Sequence, residues 1–472
     1  MLAAALLLLA ALCGAAWFFL RGRTAVKSAQ ALVLPAEEWP AYQVDLRYEP
    51  QTSVLEVTEE ISFIHRGDAP LESVCLRFPA AAYTSQSTSP AAADDLFERA
   101  YPGGFSAADW KIDGCWIGGE KAEAVQGTDQ PELFWVDANA APQETVSLRL
   151  ELRLKIPSCA GRFGKADDTV RLIQALPVLA ARVGGQWDTA AMTPYADPQE
   201  TDVSDFTVTA DLPESLRLVT GAQTGANQLS LLLLPRDWAN VSGRAGNVQM
   251  TVLAETRSRA EAILLAAKRC WPVLEALYGK LPLDSMTLVS LALPDTGCSA
   301  PGLTLLDSGL KENELGYRTA YWLAGQWFGW ALGADRENDA WFCHASRQWA
   351  ALRYVRDTAG GDSEADYRRL WVDLPMRENL HAAVTPGTPA GGFPDQATFL
   401  TVMDGRATAM YYALDTWMDG RFDDFLRELL RRHAFTRLDR AAFIRAAGDF
   451  CGLDIAPLMT DWLDTYMIEK PY

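Results

Sequence analysis

Apolar and polar positions alternate along the first half of the chain. Val44, Leu46 and Tyr48 are spaced by two, as are Leu55 and Val57, and Ile61 and Phe63. Val146, Leu148, Leu150, Leu152, Leu154 and Ile156 form an unbroken run of period two. Phe206, Val208, Ala210 and Leu212 make another. This period puts one face of a strand on a core and the other in water. Tyr101–Gly104 and Gly184–Gly185 read as joints between strands. Residues 31–253 are therefore expected to form an all-β domain, a sandwich or saddle.

From about residue 254 the period becomes helical. Arg257–Tyr278 reads as a helix closed by Gly279, and Met286–Leu293 as a buried strand. Glu314–Leu332 and Asp339–Arg356 read as long helices, and Thr385–Pro394 as a loop. Helices are expected at Ala407–Met418, Phe422–His433 and Arg440–Phe450, the last capped by Asp439 and stopped near Gly452. The whole is a multidomain β-plus-α chain, with residues 254–472 as a mostly helical second domain.

Ahead of both lies Leu2–Leu20, without a charge and followed by Arg21 and Arg23. A span of about 20 apolar residues crosses a bilayer, so residues 1–30 read as a single-pass membrane anchor. A cleaved signal peptide is the alternative. The basic flank favours a cytoplasmic body, but the side of the membrane stays open.

Composition adds exclusions. A net charge of −19 argues against nucleic acid, since phosphate binding needs clustered Lys and Arg. The 16 tryptophans allow large cores. The eight cysteines contain no C-x-x-C pair, which argues against a zinc ribbon or a dense disulfide framework.

The chemistry concentrates around YWLAGQWFGW, Tyr321–Trp330. GQWFGWALGADRENDAWFCH, together with YQVDLRYEPQTSVLEVTEEISFIHRGDAPLESVCLRF, RFG at Arg162–Gly164, ALPVLA at Ala175–Ala180, GGQWD at Gly184–Asp188, VTG at Val219–Gly221, GCSAPGL at Gly297–Leu303 and MYYALDTWMDGRFDDFLRELLRRH, occurs in a telling order. In that order the segments resemble the aminopeptidase N and leukotriene hydrolase family of gluzincin zinc metallopeptidases, with the bacterial membrane-associated branch the closer likeness. The resemblance covers nearly the whole chain from about residue 40. It implies a β-domain followed by a thermolysin-like, mostly helical domain, and a chain that ends about where that domain does.

In that family H-E-x-x-H and a Glu from the next helix hold zinc, and the Glu inside the motif is the general base for the bound water. Anchored on GQWFG, the resemblance puts the first His at Tyr321, the base at Trp322, the second His at Gly325 and the third ligand at His344. The Glu that holds the substrate amine falls at Ser299. The tyrosine that stabilises the tetrahedral intermediate falls at Asp404. None of the six residues is the family's. The chain has four histidines, His65, His344, His381 and His433, and no two are four apart. Gly offers no ligand, Trp accepts no proton, and a phenol is a poor zinc ligand near neutral pH.

The sequence therefore points to a membrane-anchored, aminopeptidase-like pseudoenzyme without zinc or another cofactor. It would bind a peptide or a membrane-protein partner, or act as a scaffold, with Ser299, Tyr321, Trp322, Gly325, His344 and Asp404 lining the former cleft. The alternative is an active hydrolase with a site rebuilt around His344, Ser299 and Asp404. A new metal site joining His344 to Cys298 or Cys343 is weaker, because neighbours on a helix point about 100° apart and neighbours on a strand face opposite sides. For His344 itself, the plainer reading is a hydrogen-bonded pocket histidine.

Overall fold

The computed structural model describes residues 30–197, 200–378 and 383–466. Leu2–Leu20, and the anchor read from it, lie outside the described residues, as does His381. Among the described residues no helix is long and apolar enough to cross a membrane.

The alternating segments become strands whose inward faces share one core. A six-stranded sheet runs in the order Asp205–Asp211, Ala41–Glu49, Val54–Ile64, Thr145–Lys155, Asp109–Ile117, Glu120–Lys121. Ala41–Glu49 buries every second residue, as its sequence demands. Two four-stranded sheets, centred on Thr169–Ile173 with Ser230–Pro235 and on Leu71–Arg77 with Leu133–Ala140, add their buried faces to that core.

One inward position breaks the pattern. Glu59 lies opposite Val44 and Leu150 in the six-stranded sheet and is fully buried. Neither of its carboxyl oxygens has a hydrogen-bond partner among the described residues, and burial pushes its pKa well above the usual carboxylate range.

A five-stranded sheet opens the second half, in the order Ala239–Ala245, Val248–Ala254, Ser285–Leu291, Leu303–Asp307, Gly297–Ala300. The three middle strands are parallel, and Gly297–Ala300 is an antiparallel edge. The first two strands pack with the helices rather than with the β core. The change of sequence period near residue 254 therefore does not coincide with the change of core.

Helix Arg257–Tyr278 connects two of the parallel strands. Thr256 caps its start by accepting from the Arg259 N–H, and Gly279, at φ 100°, ends it. The strand expected to reach Leu293 stops at Leu291. Helix Arg440–Cys451 is capped by Asp439 and stopped by Gly452 at φ 73°.

The long helix expected over Glu314–Leu332 is not continuous. A helix spans Glu312–Ala324. A wide turn, Gln326–Ala331, follows and breaks at Phe328 and Gly329. The chain then enters a short strand, Leu332–Ala334, paired in parallel with Thr436–Leu438. The break lets Trp327 and Trp330 turn inward, where each indole N–H finds a backbone carbonyl, of Gly279 and Gly225 respectively, at 2.8 Å.

The chain also ties its beginning to its second half. Leu32 N donates to Lys280 O at 2.7 Å, Lys280 N donates to Gln30 O at 2.9 Å, and the Leu32 side chain is buried in the second core. Only after this strap does the chain return to form the strand Ala41–Glu49.

Candidate functional site

The site lies where the edge strand Gly297–Ala300, the end of helix Glu312–Ala324, the start of helix Ala340–Ala359 and the turn Thr401–Arg406 meet. Tyr321, Trp322 and Gly325 come from the first helix and its end, and His344 from the second. Asp404 comes from the turn and Ser299 from the edge strand.

Tyr321, His344 and Asp404 converge. The Tyr321 hydroxyl donates to Asp404 Oδ1 at 2.9 Å, and His344 Nδ1 lies 3.0 Å from the same oxygen. A carboxylate oxygen only accepts, so Nδ1 carries the proton. The Tyr321 oxygen lies 3.3 Å from that nitrogen. His344 Nε2 is buried without a partner among the described residues, and the ring packs edge-on against Phe399. Burial and the Asp404 carboxylate push the Tyr321 phenol well above its ordinary pKa.

Ser299 is not part of this group. Its Oγ accepts from Gln326 Nε2 at 3.0 Å, and its carbonyl accepts from Gln228 Nε2 at 3.4 Å. Gln326 also donates to the Ala300 carbonyl at 2.8 Å. Side-chain amides thus occupy acceptors on the edge strand. The neighbouring Cys298 is buried, and burial pushes its thiol up to about 12, which leaves no thiolate at neutral pH.

Positions 322 and 325 are packed directly onto the edge strand. The Trp322 indole donates to Thr296 Oγ1 at 3.2 Å, and a Cβ at Gly297 would stand 2.4 Å from its Nε1. Glycine at 297 is what makes room for the ring. A Cβ at Gly325 would stand 2.6 Å from Ser299 Oγ. No larger side chain fits at 325 while Ser299 keeps its place.

An ion cluster that sequence reasoning missed surrounds the pair. Asp197 receives Arg347 at 2.8 Å, Arg162 at 3.1 Å and Arg336 at 3.6 Å, and Arg336 also pairs with Glu200. Burial alone would raise the Asp197 pKa, but the Arg347, Arg162 and Arg336 guanidiniums hold it far below the usual range. For Arg347 burial is the largest single influence and pulls downward, but Asp197, Tyr321, Cys343 and Asp404 together outweigh it and leave its pKa raised. Its guanidinium lies 5.5 Å and 5.2 Å from the ring centres of Tyr321 and Trp322. Asp197 sits in an aperiodic loop, and no local pattern marks it. The free space left here, bordered by Ser299, Gly325 and Arg347, is about 10 Å3. That is room for about one water.

A zinc ion, as the resemblance implies, would need three protein ligands at this point. The residues present do not fit it: positions 321, 325 and 344 offer a phenol already bonded to Asp404, a glycine pressed on Ser299, and one imidazole. Among the described residues, no group of three or more His, Cys, Asp or Glu is placed to hold a metal.

No protein-family model matches the chain, and no curated protein matches it. Solved structures do. The M1 zinc metallopeptidase of Deinococcus radiodurans superposes with a TM-score of 0.62 at 13% identity, covering 94% of this chain and 94% of that one. A mutant of it bound to a Tyr-Ser-Ala substrate gives 0.62 at 14%, covering 94% and 95%. A two-domain M1 zinc metallopeptidase mutant bound to L-tryptophan gives 0.61 at 14%, covering 95% and 99%. The chain has the fold of these M1 zinc metallopeptidases, with a sheet-rich first part and a helical second part.

Proposed function

We propose that this protein is a pseudoenzyme built on the M1 metallopeptidase fold: it holds no zinc, hydrolyses no peptide, and works by binding a peptide or protein partner or by scaffolding one at a membrane. The observation that carries this reading is the packing of Trp322 and Gly325 onto Gly297 and Ser299, which puts an indole and bare backbone where a base and a ligand would stand. A peptidase needs an activated water and a base within hydrogen-bond reach of it. Asp404 is already shared by Tyr321 and His344. The anchor, Leu2–Leu20, belongs to the same proposal.

The test is metal analysis of protein purified in the presence of zinc, alongside a panel of aminoacyl and dipeptide substrates. Less than about 0.1 zinc per chain and no chelator-sensitive turnover are expected, because a single imidazole is not a zinc site. One zinc per chain with turnover abolished by chelation would sink the proposal.

A rebuilt hydrolase is favoured by one observation, the Asp404–His344 contact, which leaves Nε2 as the basic nitrogen. Against it, Ser299 Oγ is held by Gln326. Labelling with a fluorophosphonate probe is expected to be absent. Labelling that disappears on Ser299→Ala would revive the hydrolase.

A further inference from the structure

The outward face of the six-stranded sheet is not flat. Two neighbouring rows of residues cross it, and their side chains differ in length. In one row Trp116, Arg149, Glu60 and Gln43 lie opposite one another on four successive strands. In the other, Ser147, Ser62 and Ala41 do the same. Outward positions on a strand are two residues apart, so the two rows are adjacent. Long side chains beside short ones leave a trough of about 700 Å3, floored by the short row and Gly119. Four strands spaced by about 4.8 Å make it roughly 14 Å long.

One end of the trough is aromatic by construction. Cys115 points into the core, so Trp116 and Gly114 share the outward face. The Trp116 indole lies along its own strand, and a Cβ at Gly114 would stand 2.1 Å from its far edge. Glycine at 114 is what lets the ring lie down. A bulge between Ile112 and Gly114 bends the strand here. The ring is half-buried and borders the trough.

The long row carries a fixed polar lattice that stays open to water. Arg149 donates to Glu60 Oε1 at 3.0 Å and to Glu151 Oε1 at 2.7 Å. Each carboxylate is held through one oxygen, which leaves Oε2 to accept, and both side chains are about half exposed. Gln43, Ser62 and Ser147 add an amide and two hydroxyls. Two carboxylates face one guanidinium along the trough, so its charge opposes phosphates and acidic ligands. A protein partner would strip water from these charges, which the centres of protein interfaces avoid. A neutral polyol fits them. Each of its hydroxyls both donates and accepts, and the C–H face of a sugar ring is apolar enough to lie on an indole.

We infer that this trough binds a neutral glycan, one sugar ring stacked on Trp116 and the next hydrogen-bonded along Glu151, Glu60 and Gln43. The inference goes beyond the proposed function and does not depend on the state of the former catalytic centre.

The test applies the full chain, in a detergent without a sugar headgroup, to an array of neutral, amine-bearing and acidic glycans. The best neutral oligosaccharide is then titrated. Neutral glycans are expected to bind and acidic ones are not. Binding should weaken at least about 10-fold in Trp116→Ala, and likewise in Gly114→Val, which keeps the indole but displaces it. It should vanish in Ser62→Trp, which fills the floor from an outward position, at unchanged melting temperature. Trp417→Ala, at an exposed tryptophan outside the trough, should leave it unchanged. No neutral ligand on the array overturns the inference. So does a preference for acidic or amine-bearing glycans, or neutral binding that survives both Trp116→Ala and Ser62→Trp. Zinc and turnover are read separately, so a working peptidase that still binds glycan here would sink the proposed function and leave this inference standing.

Discussion

Asp197→Asn is expected to lower the unfolding free energy by about 3–5 kcal/mol at pH 7, the cost of stripping the partner from a buried ion pair. Asp197 faces three guanidiniums, and Arg347 and Arg336, which are almost fully buried, would keep their charge with less to balance it. Arg336 retains Glu200, so the loss falls hardest on Arg347 and Arg162. The measurement is a urea midpoint with its slope. The pH dependence gives a second readout. The folded pKa of Asp197 is depressed, so its stabilisation is present above the unfolded value of about 3.9 and is lost as pH falls below it. The Asn variant should lack that share of the acid slope. A loss under about 1 kcal/mol would mean that the buried charges of this cluster do not depend on Asp197 for their balance.

The second large effect has the opposite sign. Glu59→Leu is expected to stabilise the protein by about 1–3 kcal/mol at pH 7, the cost of a buried polar group without partners. Glu59 is buried with both oxygens unmet, and burial holds its pKa well above normal. A raised folded pKa contributes stability that is complete below the unfolded value of about 4.3. It fades as pH rises toward the folded value, because folding must take up a proton. The wild-type protein should therefore lose stability from about pH 4.3 upward through this group, and both Glu59→Leu and Glu59→Gln should flatten that slope. Only the leucine should also raise the midpoint at pH 5. Urea unfolding of the three proteins between pH 5 and 8 decides it, and a destabilised leucine variant throughout would show that the carboxyl has a partner after all.

What the residues disclose depends on how locally each feature is determined. The run Val146–Ile156 gave its strand because a period of two is written in the segment itself. Thr256 with Gly279, and Asp439 with Gly452, gave helix ends because caps are made by neighbours in sequence. The break after Ala324 was not visible, since it is set by where Trp327 and Trp330 find carbonyls far along the chain. The meeting of Tyr321, His344 and Asp404 was legible only through the resemblance, and that resemblance also grouped Ser299 with them, although Gln326 holds Ser299 elsewhere. Asp197 was invisible for a plainer reason. Its bond to Arg347 spans 150 positions, and no short pattern encodes a contact of that range.

The strap at residues 30–34 bears on how the molecule would respond to mechanical load. Gln30 and Leu32 are hydrogen-bonded to Lys280 before the chain reaches its first long strand. Tension applied at the amino end would therefore run into the Gly279–Lys280 corner, at the foot of the helix Arg257–Tyr278, and bypass the sheets built from residues 41–235. The first rupture under force would be a short peel of this strap, and those sheets would be strained only after it had come away.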